Sequence, residues 1–155
     1  MMSKHTIVPL LPEQFYDMDT IVNMKNRQLA DMWYNELKVG IRVIYIYMVD
    51  DICMGEVSLV FAHNDPVCVI PGMRAYMQRL IVKSEYRGNG IGKKLTDHLC
   101  KEAFRMGLAE VSVSVDKDNS AALHIYRSMG FDNVLFDGED QYGPCYKLMK
   151  KLSDS

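Results

Sequence analysis

The chain has 155 residues, the size of one domain, and folding at this length removes roughly 70% of the unfolded surface from water. Its 18 Lys and Arg against 20 Asp and Glu give a formal charge of −2, with the basic residues scattered along the chain, which argues against a general nucleic-acid binder. The longest apolar run, Val43 to Val49, is far short of the ~20 residues a spanning helix needs, and the N-terminus has no apolar signal region, so the expectation is one cytoplasmic domain over residues 1–155 with no membrane segment.

Cys53, Cys68, Cys100 and Cys145 include no C-x-x-C pair and lie in a chain large enough to fold without staples. They read as reduced thiols, and no metal is expected. The 12 methionines fit flexible core filling, or else an adaptable surface.

Thr6-Ile7-Val8 reads as a short strand closed by Pro9, and Pro12-Glu13-Gln14 has the proline and acidic residue of a helix start. A helical region then runs, in one or two pieces, through Ile21, Met24, Leu29, Met32, Trp33 and Leu37 to a stop at Gly40. Leu29, Met32, Trp33 and Leu37 sit at helical spacings and predict a core face. Arg42 to Val49 favours a strand, Asp50-Asp51 a turn, and Met54 to Phe61 a returning strand, which together predict an antiparallel hairpin. Within the second strand, Glu56 is a carboxylate among apolar residues. It either points to solvent or has a reason to be inside.

After a loop with Pro66, Pro71 and Gly72, Tyr76 to Val82 predicts a third strand, broken by Lys83-Ser84-Glu85-Tyr86. Then comes Arg87-Gly88-Asn89-Gly90-Ile91-Gly92, followed by a helix with Ile91, Leu95, Leu99 and Ala103 every fourth residue and a stop at Gly107. The order is strand, glycine turn, helix. Amide N–H groups in a helix's first turn lack intrahelical partners and carry partial positive charge, and glycines let a large anion approach the backbone. A phosphate or diphosphate is well provided for there, with Arg87 and Lys93 adding full charges.

Two better-known glycine loops do not fit. An NTP-binding loop needs glycine five residues before Gly92, where Arg87 stands, and Ser or Thr after Lys93, where Lys94 stands. The dinucleotide fingerprint, started from Gly88 and Gly90, needs a third glycine where Lys93 stands. Taken alone, the loop is also compatible with an ordinary tight turn that binds nothing.

Beyond it, Val111, Val113 and Val115 alternate with Ser112 and Ser114, the pattern of a half-buried strand. Asn119 is placed to cap a short helix carrying Ala121, Ala122, Leu123, Ile125 and Tyr126, ended by Gly130 before Phe131. Val134 to Phe136 and Tyr146 to Met149 predict a final hairpin around Asp137-Gly138-Glu139-Asp140. Those acidic residues are either a solvated tip or a patch that draws in a cationic amine. His98, His124 and Glu85 read as ordinary helix and loop residues.

Arg87, Gly90 and Gly92 satisfy Arg/Gln-x-x-Gly-x-Gly/Ala, and Asn119-Ser120-x-Ala122-x-x-x-Tyr126-x-x-x-Gly130-Phe131 follows downstream. The two motifs in this order resemble the GCN5-related N-acetyltransferase (GNAT) superfamily, strongly from about Tyr76 to Phe131 and elsewhere in outline. The resemblance implies an α/β (α+β) fold with a mixed, largely antiparallel central sheet flanked by helices on both faces. It implies acetyl-coenzyme A as co-substrate, gripped by Arg87, Gly88, Asn89, Gly90, Ile91, Gly92 and Lys93, with the backbone of Leu80, Ile81 and Val82 bonding the pantetheine arm like an added strand. Asn119 is expected to bond that arm or the helix start. Ser84 stands where the family often has proline.

By the same resemblance, Tyr126 is the general acid that protonates the departing thiolate, a role for which a phenol of pKa ~10 is suited because it stays protonated at neutral pH. Alone, a tyrosine there reads as a helix residue packing on the core with its hydroxyl in water. Glu56 is the preferred candidate for the base. Trp33 and Tyr34 either pack in the core or line an acceptor pocket. The expected activity is transfer of acetyl from acetyl-CoA to a primary amine of a small molecule or a protein, with homodimerisation by analogy only. The rival expectations are a coenzyme A-binding module without turnover and a nucleotide-binding protein using the same loop.

Overall fold

The computed structural model describes residues 2–17 and 26–154. Among the described residues seven strands, β1 (His5–Pro9), β2 (Arg42–Val49), β3 (Ile52–Val60), β4 (Arg74–Val82), β5 (Glu110–Asp116), β6 (Asn133–Asp140) and β7 (Gly143–Lys151), form a sheet in the order β1-β2-β3-β4-β5-β7-β6. The helices are α1 (Arg27–Val39), α2 (Ile91–Arg105) and α3 (Ser120–Ser128). This is a mixed, mostly antiparallel sheet flanked by helices. Among the described residues, no helix is long and apolar enough to cross a membrane. The chain divides into two compact units, Met1–Leu59 with Arg79–His98 and Val60–Gln78 with Leu99–Ser155, each made from two separated segments.

In the first unit, β1 runs antiparallel to β2 from His5↔Val49 to Pro9↔Tyr45. A 3-10 turn over Pro12–Asp17 buries Phe15. Ile21 and Met24, expected in the same helical region, lie outside the described residues. The Asn26 side chain accepts from Leu29 N at 3.0 Å to start α1, and Gly40, at φ 86°, ends it by donating to the Glu36 and Leu37 carbonyls. Ala30, Trp33 and Leu37 face a core of Leu10, Phe15, Ile44, Ile46 and Cys53. Met32 does not join them and is 49% exposed, contrary to the expected face. It precedes Trp33 by one residue and so projects about 100° away around the helix. Nearly all of β2 and β3 is buried, and Asp50 takes the left-handed turn between them at φ 55°.

In the second unit, β4 pairs in parallel with β5 from Arg74↔Glu110 to Met77↔Val113, and β5 pairs antiparallel with β7. The Val/Ser alternation of β5 does not leave one face wet. Ser112 is 1% exposed, and its Oγ donates to the Cys68 carbonyl at 2.6 Å, which satisfies a small polar side chain indoors. The final hairpin is longer than expected. Asp137 to Asp140 lie on β6, opposite Tyr146 to Gly143, so the turn falls at Gln141-Tyr142. Gly143, at φ 120°, supplies the special backbone there, and Asp140 Oδ1 accepts from Tyr142 N at 2.8 Å. Asp137 is also paired with Lys117. All four cysteines are buried and free.

Candidate functional site

The glycine loop and helix start belong to the first unit. A single 3-10 turn, Ser84–Tyr86, leads from β4 into Arg87–Gly90, which is exposed throughout. Gly88 and Gly90 have φ of 83° and 79°, and a Cβ built on either would meet no atom within 4 Å. The bond from Lys94 N to the Gly90 carbonyl, 3.0 Å, opens the helical ladder, so the N–H groups of Ile91, Gly92 and Lys93 come before it in the chain. Open space beside the backbone together with a run of first-turn donors is what a diphosphate requires, so the residues present fit the phosphate end of a coenzyme A. Arg87 also acts locally, its Nε donating to the Val82 carbonyl at 3.0 Å and tying the loop to the end of β4. Asn89 bonds the Tyr86 carbonyl at 3.3 Å, and Lys93 is exposed.

The strand leading in changes character along its length. Ala75 and Met77 are buried, whereas Leu80, Ile81 and Val82 are partly exposed, Ile81 packing in part on the core of the first unit. A run of apolar strand residues left partly accessible suits an extended ligand laid beside it. Gly55, in the middle of β3, lies against this segment. A Cβ there would stand 3.1 Å from the Ile81 carbonyl oxygen, 3.2 Å from Leu95 Cδ1 and 3.4 Å from Ile91 Cγ2. Its missing side chain is therefore what lets the first turns of α2 and the backbone of Ile81 come this close. A lone glycine inside an apolar strand is the sequence signal for such an approach.

Glu56 is inside, at 1% exposure, and its Oε1 accepts from Arg79 Nη2 at 3.0 Å. Burial pushes its carboxyl above the ordinary range, while the charges of Arg79 and Arg42 work in the other direction. Arg79 stacks on Trp33, with its guanidinium carbon 3.9 Å from a ring centroid. Trp33 is thus both core and platform, and Tyr34 packs partly buried beside it. Trp33, Arg42, Glu56, Ser58 and Arg79 line one narrow crevice.

Sequence reasoning passed over Arg79, whose φ is 57° in the middle of a strand. Left-handed backbone costs a residue with a Cβ about 1–2 kcal/mol. The sequence signal was weaker than for Glu56, because Arg74 and Gln78 also interrupt the apolar residues of β4.

The second unit holds Asn119 and Tyr126. Asn119 caps α3, its Oδ1 accepting from Ala122 N at 3.1 Å, so the helix start accounts for the side-chain acceptor. Tyr126 is 9% exposed and packs with its ring centroid 5.8 Å from that of Phe131. Burial alone pushes its phenol upward, which keeps the hydroxyl protonated at neutral pH.

Residues 7–131 match the profile of the acetyltransferase (GNAT) family. An N-alpha-acetyltransferase 30 from Saccharomyces cerevisiae is 34% identical over 84 residues, 53% of this chain and 48% of that protein. The match to a Bos taurus thialysine N-epsilon-acetyltransferase is 32% identical over 63 residues, 41% of this chain and 37% of that one. The chain thus spans about half or less of the length of the curated relatives it matches. Among solved structures, a putative acetyltransferase from Salmonella typhimurium with its cofactor acetyl-CoA superposes with TM-score 0.74 at 18% identity, covering 99% of this chain and 96% of that one.

Proposed function

The chain belongs to the acetyltransferase (GNAT) family, and from that premise we propose that it transfers an acetyl group from acetyl-CoA to a primary amine. The observation that carries the proposal is the loop of left-handed glycines with open space beside them, set directly before the first turn of α2. The relatives point the same way, since the yeast protein is by name an N-alpha- and the bovine one an N-epsilon-acetyltransferase. When bound, the coenzyme supplies a thioester already activated toward amines. The chain's own work is to bind, orient and move protons.

In this proposal the first-turn N–H groups of α2, with Arg87 and Lys93, hold the diphosphate, and the backbone of the partly exposed Leu80, Ile81 and Val82 receives the pantetheine arm. The acceptor's nitrogen would add to the thioester carbonyl first, and Tyr126 would then give its phenolic proton to the sulfur as the carbon–sulfur bond breaks. The amine must first lose its own proton, because an amine of pKa ~10.4 is only about one part in 10³ neutral at pH 7. Glu56 is the proposed base. Burial raises its proton affinity toward that of the amine, against the opposing charge of Arg79.

The test is a panel of small amines and peptide N-termini incubated with acetyl-CoA, read as thiol release. Turnover of at least one amine is expected. Coenzyme binding without turnover of any amine would support a silent coenzyme A-binding module instead. Thermal shifts with NAD and ATP that exceed the shift with acetyl-CoA would support the nucleotide-binding reading, because a true ligand stabilises by mass action.

A further inference from the structure

We propose that Arg79 is a positioning residue for the coenzyme: its side chain, held between Trp33 and Glu56, fixes the left-handed backbone from which Leu80, Ile81 and Val82 are presented. This rests on the coenzyme reading above. An exposed turn residue such as Asp50 tolerates left-handed backbone through its short polar side chain, but at a long side chain inside a strand it persists where the surroundings over-determine it, and here they do. The guanidinium is stacked at 3.9 Å on Trp33 of α1 and bonded at 3.0 Å to Glu56 of β3, so two separate elements grip one side chain. Both grips are deep, Trp33 being 7% and Glu56 1% exposed.

The position of the kink matters more than its existence. Arg79 lies two residues past Met77, the last rung of the β4–β5 ladder, and immediately before the three residues expected to bond the pantetheine arm. The far end of that segment is fixed independently, by Lys83 N donating to the Met54 carbonyl at 2.9 Å and by Arg87 donating to Val82. Arg79 fixes the near end. Returning its φ to ordinary strand values would turn over the peptide groups that follow, and would change which N–H and C=O groups of Leu80 to Val82 face outward.

The decisive comparison uses two double variants that differ by one methyl group. Glu56→Gln removes the buried charge that an absent arginine would strand, and Arg79→Gly or Arg79→Ala is then added to it. Coenzyme A affinity is read by calorimetry. Glycine adopts the left-handed backbone with no side chain to hold it, so the Gly/Gln protein should bind within about threefold of Glu56→Gln alone, and the Ala/Gln protein about tenfold more weakly than the Gly/Gln one.

Arg79→Asn in the same background gives a second measure that does not depend on the alanine protein folding. Asparagine tolerates this backbone and should bind within about threefold of the glycine variant. Equal affinity of the alanine and glycine proteins, or tenfold weakening in the asparagine protein, overturns the positioning role. An unsubstituted protein that gives no heat with coenzyme A overturns the coenzyme reading instead.

Discussion

The first unit takes up left-handed backbone in two quite different ways. At Gly88 and Gly90 the chain is exposed, nothing lies within 4 Å of where a side chain would begin, and no Cβ opposes the turn. At Arg79 the same sign of φ occurs at a residue with a Cβ, in a strand, and the side chain is locked into a stack and an ion pair. In the proposed coenzyme site, the loop's freedom lets a large anion approach it. The strand needs a fixed direction, and supplies it from the core. On the proposed reading, the first device admits the ligand through the absence of a side chain and the second orients it through the anchoring of one.

Changes that touch chemistry alone should leave both devices intact. Tyr126→Phe is therefore expected to lower kcat by about 10²–10⁴-fold with an unchanged coenzyme dissociation constant, measured by steady-state kinetics beside calorimetry. A loss under about threefold would remove Tyr126 from the role of acid. Breaking the loop should show in binding: Gly90→Val places a branched side chain at φ 79° and is expected to weaken coenzyme binding about tenfold.

Gly55→Ala tests whether the loop and the strand are coupled through packing. Its methyl would crowd the Ile81 carbonyl and Ile91 together, so a several-fold loss of coenzyme affinity with a lower melting temperature is expected. A melting temperature that falls with affinity untouched would separate the packing from the site.

The smallest expected effect concerns the ion pair. Burial holds the Glu56 carboxyl above its ordinary range, so the folded state binds that proton more tightly than the unfolded chain does. Its stabilising contribution is fully present below the ordinary carboxylate range and is lost as pH rises through the raised folded value. Glu56→Gln has no proton to lose there. The difference in melting temperature, Glu56→Gln minus the unsubstituted protein, should therefore rise with pH across that window, and a falling difference would mean that Arg79 outweighs burial.

The loop was legible in the sequence because glycine spacing speaks directly about backbone. Asn119 was legible because a cap is a local event, and the helix stops at Gly40 and before Phe131 for the same reason. What failed depended on neighbours distant in the chain. Ser112 looked like the wet face of a strand until the Cys68 carbonyl supplied its partner. Gly138 drew the predicted hairpin turn toward itself, yet it is small because the Phe136 ring lies on it, where a Cβ would stand 2.9 Å from Cζ. Arg79 was passed over since neither Trp33 nor Glu56 is near it in sequence, and nothing in the residue type announces a positive φ.

The most direct measurement is a pair of calorimetric titrations of the unsubstituted protein, one with acetyl-CoA and one with an acetyl-pantetheine thioester that lacks the diphosphate and nucleotide. If the start of α2 grips the diphosphate, acetyl-CoA should bind saturably and at least about tenfold more tightly than the truncated thioester. Equal affinities, or no heat with acetyl-CoA, would contradict the account.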